Sequence, residues 1–155
     1  AIVDIGGRTT DIATVIGGNA VDHRRSGTGN IGVLDVYRDV AKLINSEFKV
    51  RDELKIKTID EAVRKGTIRL WNKQHDIRHI IESVIAEHQG KIAREVERRI
   101  GSGATMNAVV FVGGGSALFS NIAQEFPNGH IIEDPEFSNA RGLFKFAKYK
   151  AQQEG

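Results

Sequence analysis

Cysteine is absent from the chain, which excludes a disulfide framework and any thiolate metal centre and suits a reducing cytoplasm. Proline occurs only twice, and Pro135 breaks the chain between a short apolar segment and a terminal helical pattern. Aromatic residues make up just 6%, so Trp71 and its neighbouring arginines read as the cap of a small subdomain rather than a base-stacking platform. No block of one charge stands out: 22 Lys+Arg against 20 Asp+Glu, interleaved, leave a net +2 and favour neither direct nucleic-acid binding nor a membrane surface. No apolar run approaches the roughly 18 to 20 residues of a bilayer span, and no charged segment precedes an apolar one at the start, as a leader requires. The chain opens directly on the strand-like "AIVDI", which reads as the start of a piece of a larger protein.

What is present is enough for one ordinary domain: 155 residues, 40% of them apolar. The first 25 residues read as an antiparallel meander of "AIVDI", "DIATVIG" and, beyond the turn Gly17-Gly18-Asn19, "AVDHRR". After the loop "SGTGN", apolar residues Val33, Val36, Tyr37, Val40, Leu43, Ile44 and Phe48 recur at helical spacing. In "TIDEAVRKG", Thr58 with Glu61 forms a capping-box pattern, and Gly66 stops the helix. A hairpin around Asn72-Lys73 follows, then a long helix over residues 76–101 whose apolar stripe is Ile77, Ile80, Ile81, Val84, Ile85, Ile92, Val96 and Ile100. The last third changes character: "NAVVFVGGGSALFSNIAQEF" reads as a buried strand, a glycine triplet and a helix, a βα unit of a parallel sheet. "HIIED" is a further short strand, and "SNARGLFKFAKYKAQQ" a terminal helix.

Glycine clusters end three of these segments, and glycine lets backbone amides converge on an anion and lets a ligand approach unhindered. In "VDIGGRTTDI", Asp4 closes a strand where an unpartnered carboxylate is costly, so a partner is expected; a hydrated Mg²⁺ is one. Thr9 and Thr10 add hydroxyls beside the amides of Gly6, Gly7 and Arg8, and Asp11 stands where it can orient a water. The second cluster, "GTGNIG", matches G-x-G-x-x-G but follows the polar "DHRRS" instead of a buried strand, so a dinucleotide fingerprint is rejected; a Walker A pattern is absent. In the third, "VVFVGGGSALF", the glycines lead into a helix N-terminus that would favour anions and polar ligand edges, the alternative being close helix-to-strand packing. His75 and His79 flank a helix start and make no metal pair, and the histidines as a group read as solvated.

Taken together, these motifs resemble the second half of an actin-like ATPase, in the superfamily that also holds sugar kinases and heat-shock chaperone ATPases. "IVDIGGRTTDI" resembles its second phosphate-binding hairpin and "VVFVGGGSALF" its adenosine motif, while "SGTGNIGVLDVYRDVAKLI" resembles the loop and helix of plasmid-partition actins of the ParM type. The resemblance implies an α/β, RNase H-like, five-stranded mixed sheet of order 3-2-1-4-5. Helices on both faces and a small inserted helical and hairpin subdomain at about residues 50–75 belong to the same layout, in one domain of residues 1–155 whose N-terminal counterpart lies elsewhere in the parent. It implies that Asp4 holds Mg²⁺ through water, that Gly6, Gly7, Arg8, Thr9 and Thr10 cradle the phosphates of ATP or GTP, and that Asp11 positions the attacking water. Gly114, Gly115 and Ser116 would meet the nucleoside, Phe119 the base, Gly29 and Asn30 the ribose, and Asn139, Arg141 and Gly142 the adenine side. It further implies a cytoplasmic protein that self-associates into filaments, with a DNA-binding adaptor as partner in DNA segregation. Two other readings stand beside it: an assembly module without catalysis, and half of a sugar- or acetate-kinase-like phosphotransferase. Phosphoryl transfer draws on groups from all sides of the phosphate, so half a cleft is expected to bind weakly and hydrolyse poorly.

Overall fold

The computed structural model describes residues 1–153. Its centre is a hairpin of β1 (Ile2–Ile5) and β2 (Thr10–Ala13), with Ile2 opposite Ala13 and Asp4 opposite Asp11. Alternation explains the strands: Val3, Ile5, Thr10 and Ile12 point into the core, whereas Ile2, Asp4 and Asp11 look out. The meander then departs from expectation. The chain breaks at Thr14, whose amide and hydroxyl bond Ser26 Oγ and the Arg25 carbonyl, and the next residues form a separate two-stranded ribbon, β3 (Val15–Ile16) and β4 (Ala20–Val21). The edge strand of the main sheet is instead β5 (Gly27–Gly29), which the sequence presents as loop.

Helix α1 (Val33–Phe48) follows, burying Val36, Val40 and Ile44. Helix α2 (Ile56–Lys65) starts two residues before Thr58 and has no side-chain cap, so the expected capping box does not form; Gly66 ends it at φ 71°. A hairpin of β6 (Thr67–Leu70) and β7 (Lys73–Asp76) turns through Trp71 and Asn72, both at positive φ. Helix α3 (Arg78–Ile100) carries the expected stripe and adds His88 to it. That histidine is not solvated: at 3% exposure its Nε2 lies 2.9 Å from Asp39 Oδ2, tying α3 to α1. Burial pushes the Asp39 carboxyl up, but hydrogen bonds from Lys42 and His88 outweigh it and hold the group below the usual carboxylate range.

Strand β8 (Val109–Val112) pairs parallel to β1, and β9 (Gly129–Ile131) parallel to β8. The sheet order is therefore β5-β2-β1-β8-β9, three antiparallel strands and then two parallel ones, as the resemblance implies. Between β8 and β9 the expected helix is replaced by two short 3-10 turns, Gly114–Ala117 and Ile122–Glu125. One continuous core joins the sheet's inner face to α1, α2, α3 and these turns, so the inserted elements between α1 and α3 share it through Ile59, Ala62 and Ile68. The opposite face stays open around Ile2, 42% exposed, and the second helical layer reaches it only at the start of α4 (Ser138–Gln153), which buries no residue.

Candidate functional site

Register places three polar side chains in one row across the open face, because Thr28 is opposite Asp11 and Asp11 opposite Asp4. Asp11 accepts hydrogen bonds at both oxygens, from Thr28 at 2.5 Å and from Thr9 at 3.1 Å. Asp4 sits within β1 rather than at its end, and accepts at 2.8 Å from Asn139 Nδ2 in the first turn of α4. Asp4, Asp11, Thr28 and Asn139, with Ile2 and Val112, line an open depression of about 360 Å³.

The turn between the two acids is held open. Gly6 donates to Thr9 O at 2.8 Å, but the carbonyls of Gly6 and Gly7 are taken by the amides of Val33 and Leu34 at the start of α1. Among the described residues, the amides of Gly7, Arg8 and Thr9 donate to no protein acceptor. The helix approaches so closely that a Cβ on Gly32 would come within 2.5 Å of Gly7 O. Thus the turn gives its carbonyls to the fold and leaves the amides of residues 7–9 without a protein acceptor among the described residues.

Not every residue expected here reaches the surface. Thr10 is fully buried and donates its hydroxyl to Ile31 O at 2.9 Å, so Thr9 is the threonine left at the surface. Gly29 is explained by packing, since a Cβ there would meet Glu95 Cγ of α3 at 2.8 Å. Asn30 and Arg8 are brought together on the other side of the turn, at a cleft of about 570 Å³ between α1 and α2 that Leu34, Arg38, Leu54 and Ile56 also line. Leu34 and Arg38 enter the cleft lining from α1 positions that the sequence presents only as helix faces.

In the glycine triplet, Gly113 adopts φ 84° and a Cβ on it would collide with Asp4 Oδ1. Gly115 presses on Ile5, and Ser116 is buried with its hydroxyl donated to Val112 O at 2.6 Å. Gly114 is the glycine left open to solvent. The four-residue 3-10 turn Gly114–Ala117, which contains the last two glycines, is too short to supply the expected helix dipole. Phe119, expected beside a base, is fully enclosed in the core and offers no ring face to a ligand. Arg141 donates to the carbonyls of Glu133 and Asp134 at 2.9 and 2.6 Å, and Gly142 has open space around it. Thr28 was missed with its strand: a G-T-G segment has no apolar alternation to betray it.

An acid pair astride a glycine turn, on a sheet of this order, meets a specific family model: archaeal actin homologue MreB-like, C-terminal, over residues 2–125. The chain belongs to that family. No curated protein matches it. Among solved structures, this MreB-like domain superposes on ParM from a Clostridium botulinum filament at TM-score 0.84 and 22% identity, over 96% of this chain and 45% of that one. Ta0583, an archaeal actin homolog, in its complex with ADP matches at TM-score 0.82 and 22% identity, over 96% and 49%. Bacillus thuringiensis ParM with ATP matches at TM-score 0.69 and 15% identity, over 88% and 42%. The MreB-like domain thus has the actin-like fold and spans about half the length of these relatives.

The residues present fit a hydrated Mg²⁺. Among the described residues no group of three or more His, Asp or Glu side chains could enclose a metal, but Mg²⁺ retains its waters and needs only one or two carboxylates beside phosphate oxygens. Asp4 and Asp11, directly opposite each other next to an amide-lined turn, supply that donor set.

Proposed function

We propose that the chain is the nucleotide-facing C-terminal half of a filament-forming, actin-like Mg²⁺-ATPase acting in DNA segregation or a cytoskeleton. The observation that carries the reading is the Asp4–Asp11 pair flanking a turn whose amides at Gly7, Arg8 and Thr9 have no acceptor among the described residues. The nucleotide-bound relatives support adenine nucleotide as ligand, with GTP an alternative to be tested.

In this mechanism the amides of residues 7–9 and the Arg8 guanidinium receive phosphate oxygens, with no Cβ from Gly6 or Gly7 in the way. The nucleoside extends toward the α1–α2 cleft, past Asn30, Leu34 and Arg38. Asp4 would hold the water shell of Mg²⁺, which would supply neutralisation of phosphate charge when bound. Thr9 and Thr28 fix the Asp11 carboxylate, leaving lone pairs to accept a proton from, and so aim, the attacking water. Transfer needs groups from the counterpart half, which closes the other side of the phosphates. Filament assembly would follow nucleotide state, and a DNA-binding adaptor would connect the filament to its cargo.

The test is ATP hydrolysis and sedimentation of the full-length protein with Asp11→Asn and Asp4→Ala. Loss of a water-orienting base is expected to slow hydrolysis by about 10² to 10⁴, with Asp11→Asn retaining nucleotide binding. Undiminished turnover in either variant would remove the assignment, and normal turnover without any sedimenting polymer would remove the filament role.

A further inference from the structure

Helix α4 is attached to the domain in an unusual way for a helix carrying Leu143, Phe144, Phe146 and Tyr149, all at least 59% exposed. No side chain of α4 is buried, so apolar packing does not set its direction. Its first turn is instead held by polar bonds: Ser138 Oγ donates to Pro135 O at 2.6 Å, and Arg141 forks onto the carbonyls of Glu133 and Asp134. Pro135 O in turn accepts the Gly113 amide at 2.9 Å, which ties this arm to the end of β8. The remaining bond leaves the arm altogether and ends on Asp4 Oδ2, from Asn139 Nδ2 at 2.8 Å. Asp4 Oδ1 lies against Gly113 at the end of β8 and Oδ2 accepts from α4, so this carboxylate faces both of the segments that the Gly113–Pro135 bond joins.

We propose that Asn139 is a positioning residue for the Asp4 carboxylate and that, through it, the direction of α4 is coupled to occupancy at Asp4. The amide occupies one carboxylate oxygen and leaves the remaining lone pairs aimed into the depression lined by Asp11, Thr28 and Val112. Anything that orders Asp4 in that geometry also strengthens the hold on α4, and by linkage anything that fixes α4 favours ligand at Asp4. The nucleotide arm of this inference rests on the reading of Asp4 as a holder of Mg²⁺ waters; the latch itself does not.

The absence of cysteine allows both parts to be tested on the 155-residue chain with nitroxides at Asn19→Cys, in the turn between β3 and β4, and Lys148→Cys on α4. Without ligand, pulsed EPR is expected to give a distance distribution that broadens in Asn139→Ala and in Asp4→Ala, and no further in the double variant. Should Asp4→Ala not fold, Asp4→Val keeps the bulk while removing the acceptor. An unchanged distribution in Asn139→Ala, or additive broadening in the double variant, overturns the latch. With ligand, Mg-ADP is expected to narrow the wild-type distribution. Asn139→Ala should weaken Mg-ADP about fivefold while ADP in EDTA changes less than about twofold, a split that a purely structural role would not produce. Equal weakening of both forms, or of neither, overturns the positioning role. If the wild-type chain binds no Mg-ADP even at millimolar concentration, the nucleotide reading falls, and the ligand-free distances still decide the latch.

Discussion

Gly113 shows how narrowly one residue can be specified. Its φ of 84° disfavours any side chain, and a Cβ would meet both Asp4 Oδ1 and, at 2.6 Å, the Ile5 carbonyl. Gly113→Ala is therefore expected to cost roughly 2 to 4 kcal/mol in urea unfolding, since backbone strain and a clash with β1 act together. Gly142→Ala, with nothing within 4 Å, is the contrasting control and should be neutral or gain up to about 1 kcal/mol of helix propensity. Tyr37 offers a pH-dependent case. Burial and a 2.5 Å hydrogen bond to Asp60 push its phenol up to about 12. The folded state then keeps a proton that the unfolded chain releases near pH 10. Its contribution is complete below about pH 10 and lost as pH climbs through about 12. Tyr37→Phe should cost about 1 kcal/mol at neutral pH and flatten the fall in urea midpoint across that alkaline window.

At the scale of elements, what the sequence disclosed was whatever repeats with a clear period. The stripes of α1 and α3 and the unbroken "VVFV" of β8 depend on side chains already in the string, and they form where expected. Strand β5 was not legible because its place is earned by absence: Gly27 and Gly29 leave room for Arg99 and Glu95 of α3 to lie on the sheet. The stretch after the glycine triplet misled for another reason. Phe119, Ile122 and Phe126 fit one helical face as well as successive 3-10 turns, and only tertiary packing of this segment against β8 and β9 selects the turns. The acids and glycines of the site could be named one by one, yet their meeting depended on register, which brought in Thr28 and separated Thr10 from the surface. Helix α1 illustrates the same dependence, because its leading amides are capped by carbonyls of the turn that keeps its own amides free. A Cβ at Gly32 would press on Gly7 O at 2.5 Å. Gly32→Ala should therefore push α1 and the turn apart, lowering stability by about 1 to 3 kcal/mol and weakening Mg-ADP binding in calorimetric titration. If binding is lost with no change in the unfolding midpoint, the packing account of this glycine is wrong.

For the whole molecule, the deciding fact is proportion: the chain covers nearly all of itself but only 45% of the Clostridium botulinum ParM chain. Its candidate site is open on one side. The acids lie on an open sheet face, the amides of residues 7–9 have no acceptor among the described residues, and Leu143 and Phe144 of α4 are 70% and 71% exposed. Anion binding to such a surface competes with water at every contact, whereas a second wall would desolvate the phosphates and strengthen each charge-assisted bond. On the proposed reading, Mg-ADP is expected to bind the isolated chain at least about tenfold more weakly than a protein carrying both halves, and added salt to about 0.5 M should weaken it further. Fluorescence titration with a labelled ADP at two ionic strengths measures both effects. The exposed apolar chains of α4 make a parallel expectation. Leu143→Ser with Phe144→Ser removes no buried contact, so the isolated chain should keep its unfolding free energy to within about 0.5 kcal/mol and become less prone to associate. In the full-length protein, a covered α4 face would turn the same pair into a destabilising change of about 2 to 5 kcal/mol. Equal effects in both would mean that this face stays in water, and the one-sided character of the domain would then have no counterpart at α4.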